Sequence, residues 1–225
     1  MYSDISRVDN IKRDSEKVKR IMASYARNQG LQIGDDTIVN DIMTNEEKNI
    51  NVKTVHSYIS ALKKIFVIED MKAWNPNLRS KTAIRTSDTR YFIDPSIAAF
   101  LGFGPSDLIN DLNTFGFMFE TLAVSDLRVY ADALGGMVYH YRDKNNLECD
   151  AVVHLRNGNY GLIEIKLGGD KLIEEGAENM LKLKGIIDLD KMKEPSFLMV
   201  LTATGNIAYK RKDRVLVVPI GTLGK

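Results

Sequence analysis

Two short strands joined by an Asn-Gly turn constrain this chain more than any other feature in it. The stretch "LECDAVVHLRNGNYGLIEIKL", Leu147 to Leu167, reads as strand, turn, strand. Asn-Gly between two alternating apolar runs is the strongest short-range hairpin signal a sequence carries. Alternation puts Glu164 and Lys166 on one face of the second strand and Ile163, Ile165 and Leu167 on the other. The turn at Asn157-Gly158 folds the first strand back, so Asp150 approaches Glu164. Carboxylates held close repel unless something positive lies between them. A divalent cation with oxygen ligands meets that need. The plain alternative is the wet face of a hairpin.

The surroundings of this hairpin read as an α/β arrangement. "DLINDLNTFGFMFETLAVSDLRVYADAL" has helical period, with Leu112, Phe115, Phe119, Leu122 and Leu127 as its apolar stripe and Glu120 among them. "GMVYHYR" is a strand ahead of the hairpin, "DKLIEEGAENMLKLKGII" a helix after it, and "SFLMVLTATG" and "RVLVVPIGTL" are further strands. Helix, three antiparallel strands, helix, strand, strand describes a mixed sheet with flanking helices. Pro95, Pro105 and the intervening "GFG" mark a boundary, giving domains over 1–104 and 105–225.

The first domain reads as helix, short helix, helix and hairpin, the order of a winged helix. Val18, Ile21, Met22 and Tyr25 line the first helix, and "DDTIVNDIM" forms the second. The third begins after Asn51 and carries Val52, Val55, Tyr58, Ile59, Leu62 and Ile65 on one stripe. "FVIEDMKAW" and "TRYFIDPSI" are the paired strands, with the wing over Trp74 to Arg90. In this reading Lys53, His56, Lys63 and Lys64 on the third helix meet phosphates or base edges, and Arg79, Lys81, Arg85 and Arg90 on the wing add phosphate contacts. A plain packing module with solvated lysines accounts for the same residues.

Composition excludes several classes. The formal net charge is +1 with 27% charged residues, so there is no polybasic or acidic tail. One cysteine, Cys149, precludes an internal disulfide and fits a reducing cytoplasm. No run reaches the ~18 apolar residues of a membrane span. No G-x-x-x-x-G-K-[ST] occurs, so the chain has no P-loop for ATP. Oligomeric state is not legible.

The spacing D-x(13)-E-x-K on adjacent strands, with a helical Glu upstream, resembles the PD-(D/E)XK nuclease superfamily; Cys149 stands where a Pro precedes the Asp in that pattern. The resemblance implies Glu120, Asp150, Glu164 and Lys166 as site residues. It implies Mg²⁺ or Mn²⁺ held by Asp150, Glu164, the Ile165 carbonyl and Glu120, and a nucleic-acid substrate. "TVHSYISALKKIFVIEDMKAW", "RYFIDPSIAAFL", "FGFMFETLAVSDLRVY", "GLIEIKLG" and "TATGNIAYKRKDRVLVVPIGTLG" are similar to a C-terminal domain-of-unknown-function family that follows AAA-type ATPase cores in prokaryotic proteins. In that family a winged helix and a nuclease-like domain end the chain, and this sequence begins where the ATPase module ends. The expectations are therefore a metal-dependent nuclease or, alternatively, a non-catalytic DNA- or protein-docking module of such an ATPase. A winged-helix transcription regulator ranks behind both.

Overall fold

The first three helices follow from their caps and apolar spacing. Helix α1 spans Ser15–Arg27; the Asp14 carboxylate accepts the Glu16 N–H at its start, and Val18, Ile21, Met22 and Tyr25 are buried. Helix α2, Asp35–Glu46, buries Ile38 and Ile42. Helix α3, Val52–Lys64, is capped by Asn51, whose side chain accepts the Thr54 N–H at 2.8 Å. An Asn cap of this kind stabilises a helix by about 1 kcal/mol. Val55, Tyr58, Ile59 and Leu62 of α3 join the α1 and α2 residues in one core. Val52 does not: it sits in the first turn, 46% exposed, beyond the reach of that core.

The computed structural model describes residues 4–46, 50–76, 87–100, 102 and 104–223. They fall into two units that interleave in sequence, Met1–Asp70 with Ser87–Thr121 and Met71–Thr86 with Leu122–Lys225.

In the first unit the expected strand pair after α3 is reduced to a minimum. Phe66 turns the chain with φ 55° and is exposed, which breaks the alternation expected of "FVIEDMKAW". What remains is an antiparallel bridge between Ile68 and Phe92, with Glu69 N–H donating to Tyr91 O and Ile93 N–H to Val67 O. Arg79, Lys81 and Arg85, expected on the wing, lie outside the described residues. Short helices α4, Pro95–Phe100, and α5, Pro105–Asn110, lead to α6, Leu112–Ala133.

The second unit is built on a six-stranded mixed sheet, ordered β1-β2-β3-β4-β6-β5. The strands are β1 Gly136–Arg142, β2 Glu148–Leu155, β3 Tyr160–Lys166, β4 Phe197–Thr202, β5 Tyr209–Lys210 and β6 Leu216–Pro219. β1, β2 and β3 form an antiparallel meander, β4 and β6 run parallel to β3, and β5 closes the edge antiparallel. The parallel β3–β4 pair requires a crossover, which is helix α7, Asp170–Ile186. Gly168 and Gly169, at φ 129° and 89°, make the turn between β3 and α7 in a region that side chains avoid.

One sheet face packs on α7, where Leu162, Val200 and Val217 meet Ile173, Ala177, Met180 and Leu183. On the opposite side, Leu127 and Ala131 of α6 line a cavity together with Val153, Ile163 and Met199 of the sheet. The α6 residues that are buried are Phe119, Thr121, Ala123, Val124, Leu127 and Ala131. Of the expected stripe, Phe119 and Leu127 are buried, whereas Leu112, Phe115 and Leu122 are exposed. The inner face of this helix mixes large side chains, Phe119 and Leu127, with small ones, Ala123 and Ala131.

Trp74 belongs to the second unit's core and not to a wing. Its main-chain N–H donates to His140 O at 2.6 Å, and Lys72 O accepts from the His140 N–H, so residues 72–74 lie along β1. The indole packs on Tyr141 and Tyr160 and donates to His154 Nδ1 at 3.1 Å. His154 must be unprotonated at Nδ1 to accept that bond, and burial lowers its proton affinity in the same sense. A histidine whose folded pKa is depressed contributes stability above its unfolded value, and that contribution is lost as pH falls through the folded one. Trp74 is the chain's single tryptophan, so its fluorescence reads this directly. Emission is expected to change on acidification with a midpoint below that of an exposed histidine. In His154→Gln that transition should be absent; an identical one there would refute the assignment.

Candidate functional site

Three charged side chains converge on the α7 face of the sheet. The β2–β3 register pairs Ala151 with Ile163 and Val152 with Leu162, and its continuation sets Asp150 opposite Glu164. Lys166 follows two residues along β3 on the same face. Its ammonium lies 2.7 Å from Glu164 Oε2 and 3.2 Å from Asp150 Oδ2. Asp150 Oδ2 also accepts the Ile165 main-chain N–H at 2.7 Å, which fixes that carboxylate at the strand edge.

Burial separates the roles of the three. Glu164 is 1% exposed, beneath α7, while Asp150 and Lys166 keep some contact with solvent. Desolvation raises the Glu164 pKa well above the usual carboxylate range; Asp150 pushes the same way, and Lys166 opposes them. Burial alone would lower Lys166, yet the paired carboxylates outweigh it and hold the ammonium charged. Lys166 is therefore a cationic donor rather than a base at neutral pH. Glu164 Oε1 is buried and has no hydrogen-bond partner among the described residues. A buried carboxylate oxygen without a partner costs free energy, which a proton or a cation would recover.

The donor set fits a hard divalent cation in part. Asp150 and Glu164 supply two carboxylates from adjacent strands, and Mg²⁺ is commonly held by one or two carboxylates with water or substrate completing its shell. Among the described residues no cluster of three or more His, Cys, Asp or Glu side chains is placed to hold a metal. Glu120, expected as a further ligand, belongs to the first unit, where its carboxylate accepts from the Tyr91 hydroxyl. Other acids near the hairpin are engaged elsewhere: Glu148 pairs with Arg142, Glu174 with Arg211 and Glu178 with Lys182. Cys149 is buried between the Ala151 and Ile163 carbonyls, and burial pushes its thiol well up, so it is no nucleophile.

The basic residues expected to meet nucleic acid divide into two groups. Lys53, His56 and Lys64 are exposed on α3, with His56 Nδ1 2.9 Å from Asp35 Oδ2. Lys63 reaches back to Asp70 at 2.7 Å. Arg90, expected as a phosphate ligand on the wing, is an internal cation whose side chain is 9% exposed. It donates to Asp70 and Asp35, each at 2.8 Å, and to the Ile33 carbonyl. Asp70 also accepts from the Tyr25 hydroxyl. Sequence reasoning missed this network because Asp70 and Asp35 lie far from Arg90 in sequence and carry no motif.

The fold and site thus define a mixed α+β protein with an Asp-Glu-Lys trio on a strand hairpin beneath a helix. Residues 1–107 match the model of a domain of unknown function, DUF8612, and residues 115–223 match that of another, DUF4143. No curated protein matches the chain. Among the described residues no helix is long and apolar enough to cross a membrane.

Proposed function

We propose that this chain is a nucleic-acid-processing module whose second unit is a PD-(D/E)XK-type, metal-dependent phosphodiesterase. Its first unit is read as a winged-helix docking element, and both belong with an AAA-type ATPase partner or module in the cytoplasm. The observation that carries this reading is the convergence of Asp150, Glu164 and Lys166 around a buried Glu164 oxygen that lacks a partner. Asp150 and Glu164 are the residues that would hold Mg²⁺ or Mn²⁺. Such an ion supplies Lewis acidity at a phosphoryl oxygen and lowers the pKa of a bound water.

The chain's own residues do the rest. Asp150, fixed by the Ile165 N–H, orients the charge at the strand edge. Lys166, kept protonated by two carboxylates, donates to negative charge that builds on a phosphodiester oxygen during displacement. α7 keeps water off Glu164. Lys53, His56 and Lys64 on α3 meet the phosphate backbone. The test is cleavage of labelled single- and double-stranded DNA and RNA with Mn²⁺, in wild type and in Glu164→Gln. The variant keeps the shape of the side chain, so it should fold like wild type and lose cleavage. No cleavage by wild type of any substrate, with the ATPase partner supplied, would sink the nuclease reading.

One observation favours a second reading, a non-catalytic docking module. Lys166 already bridges both carboxylates, so the trio satisfies much of its own charge without a metal. A docking module should bind DNA or the ATPase equally well with and without EDTA. If α3 carries DNA contacts, affinity should fall with salt, and Lys53→Ala or Lys64→Ala should each reduce the salt slope by about one.

A further inference from the structure

Glycine in a helix interior costs about 1 kcal/mol relative to alanine, and α7 carries one at Gly176, its seventh residue. The reason lies beneath it. A Cβ built on Gly176 would come 3.2 Å from Glu164 Cβ, 3.6 Å from Glu164 Cγ and 3.5 Å from Val200 Cγ2. The first distance is tighter than most side-chain carbons tolerate, so a methyl group there would push the Glu164 stem or the helix aside by a few tenths of an ångström. Gly185, near the other end of α7, differs: a Cβ there would meet nothing within 4 Å. Gly176 itself is buried and lies among Ile173, Ala177 and Met180, the residues that seat α7 on the sheet.

We infer that Gly176 is a positioning residue for the Asp-Glu-Lys trio. Its missing side chain lets α7 lie directly on the stem of Glu164, and this contact fixes the carboxylate in its dry slot beside Asp150 and Lys166. The inference deepens the metal-site reading above but stands on the packing alone. A helix held further away would open the slot to water and loosen the 2.7 Å contact between Glu164 and Lys166.

The test compares Gly176→Ala with Gly185→Ala, the second near the end of the helix, where alanine gains less over glycine. Three readouts are taken: the carbon-13 resonance of the Glu164 carboxyl, assigned by its loss in Glu164→Gln; Mn²⁺ affinity at fixed pH; and thermal melting. Gly185→Ala should melt slightly higher and leave the other two unchanged. Gly176→Ala should shift the Glu164 resonance and weaken Mn²⁺ at least tenfold. If Gly176→Ala matches Gly185→Ala in the resonance, the positioning role is overturned. If wild type takes up no Mn²⁺, the metal reading falls, and the resonance alone decides this inference. In wild type, a nuclear Overhauser contact between the Gly176 α protons and the Glu164 β protons is expected. Its absence would overturn the inference even if Gly176→Ala fails to fold.

Discussion

Replacing Arg90 with alanine is expected to destabilise the first unit by about 3–5 kcal/mol at neutral pH, the range for removing one partner of a buried ion pair. Arg90 is the cation between Asp35 and Asp70, and its guanidinium also reaches the Ile33 carbonyl and the face of Tyr25. Removing it leaves Asp70 with the part-exposed Lys63 ammonium and the Tyr25 hydroxyl, and burial already pushes that carboxyl up to about 6 against the pull of Arg90. A carboxyl with a raised folded pKa contributes stability below its ordinary value, and that contribution is lost as pH rises through about 6. Loss of Arg90 raises Asp70 further. The deficit of the variant should therefore shrink as pH falls toward about 6 and be smallest below it, where Asp70 is protonated in both proteins. Urea unfolding of both proteins at acid and neutral pH measures this. An equal deficit at both would show that packing, not charge, carries the effect.

Lys166→Met should fold and lose most of its activity. The methionine keeps most of the stem and removes the donor, so the Asp150–Glu164 pair loses its only close cation among the described residues. On the proposed reading, cleavage should fall by about 10²–10⁴-fold, the usual scale for a positioned proton donor. The fold should survive at neutral pH, because Glu164 already favours its proton and can neutralise itself. Mn²⁺ affinity should rise or hold, since the ion no longer competes with the ammonium. Single-turnover cleavage and Mn²⁺ titration of the same preparation separate the two effects. Cleavage at the wild-type rate would remove Lys166 from the chemistry.

The strands of the second unit were legible because each carries a clear apolar run ended by a turn. β5 was not, since Tyr209–Lys210 is a two-residue edge with both side chains exposed, and nothing in its pattern demands pairing. The inner face of α6 was legible in part: Phe119 and Leu127 are buried as expected, while Leu112, Phe115 and Leu122 are exposed and Ala123 and Ala131 take buried positions.

The site shows the same division. Asp150, Glu164 and Lys166 were readable from alternation across a turn, because hairpin geometry is local. That Glu164 is buried was not readable, because alternation assigns it to a polar face and only α7 reveals that this face is covered. Arg90 and Trp74 show the limit most clearly. Each sits in a segment that reads as a wing, and each is consumed by core contacts with residues distant in sequence.

The most direct test of the central claim, that the hairpin trio is a metal centre, is calorimetric titration of Mn²⁺ into wild type and into Asp150→Ala. The account predicts one saturable site in wild type that is absent in the variant, with affinity rising as pH increases because Glu164 must release its proton to bind. A folded wild type that takes up no Mn²⁺ at any pH, or a variant that binds as wild type does, would contradict it.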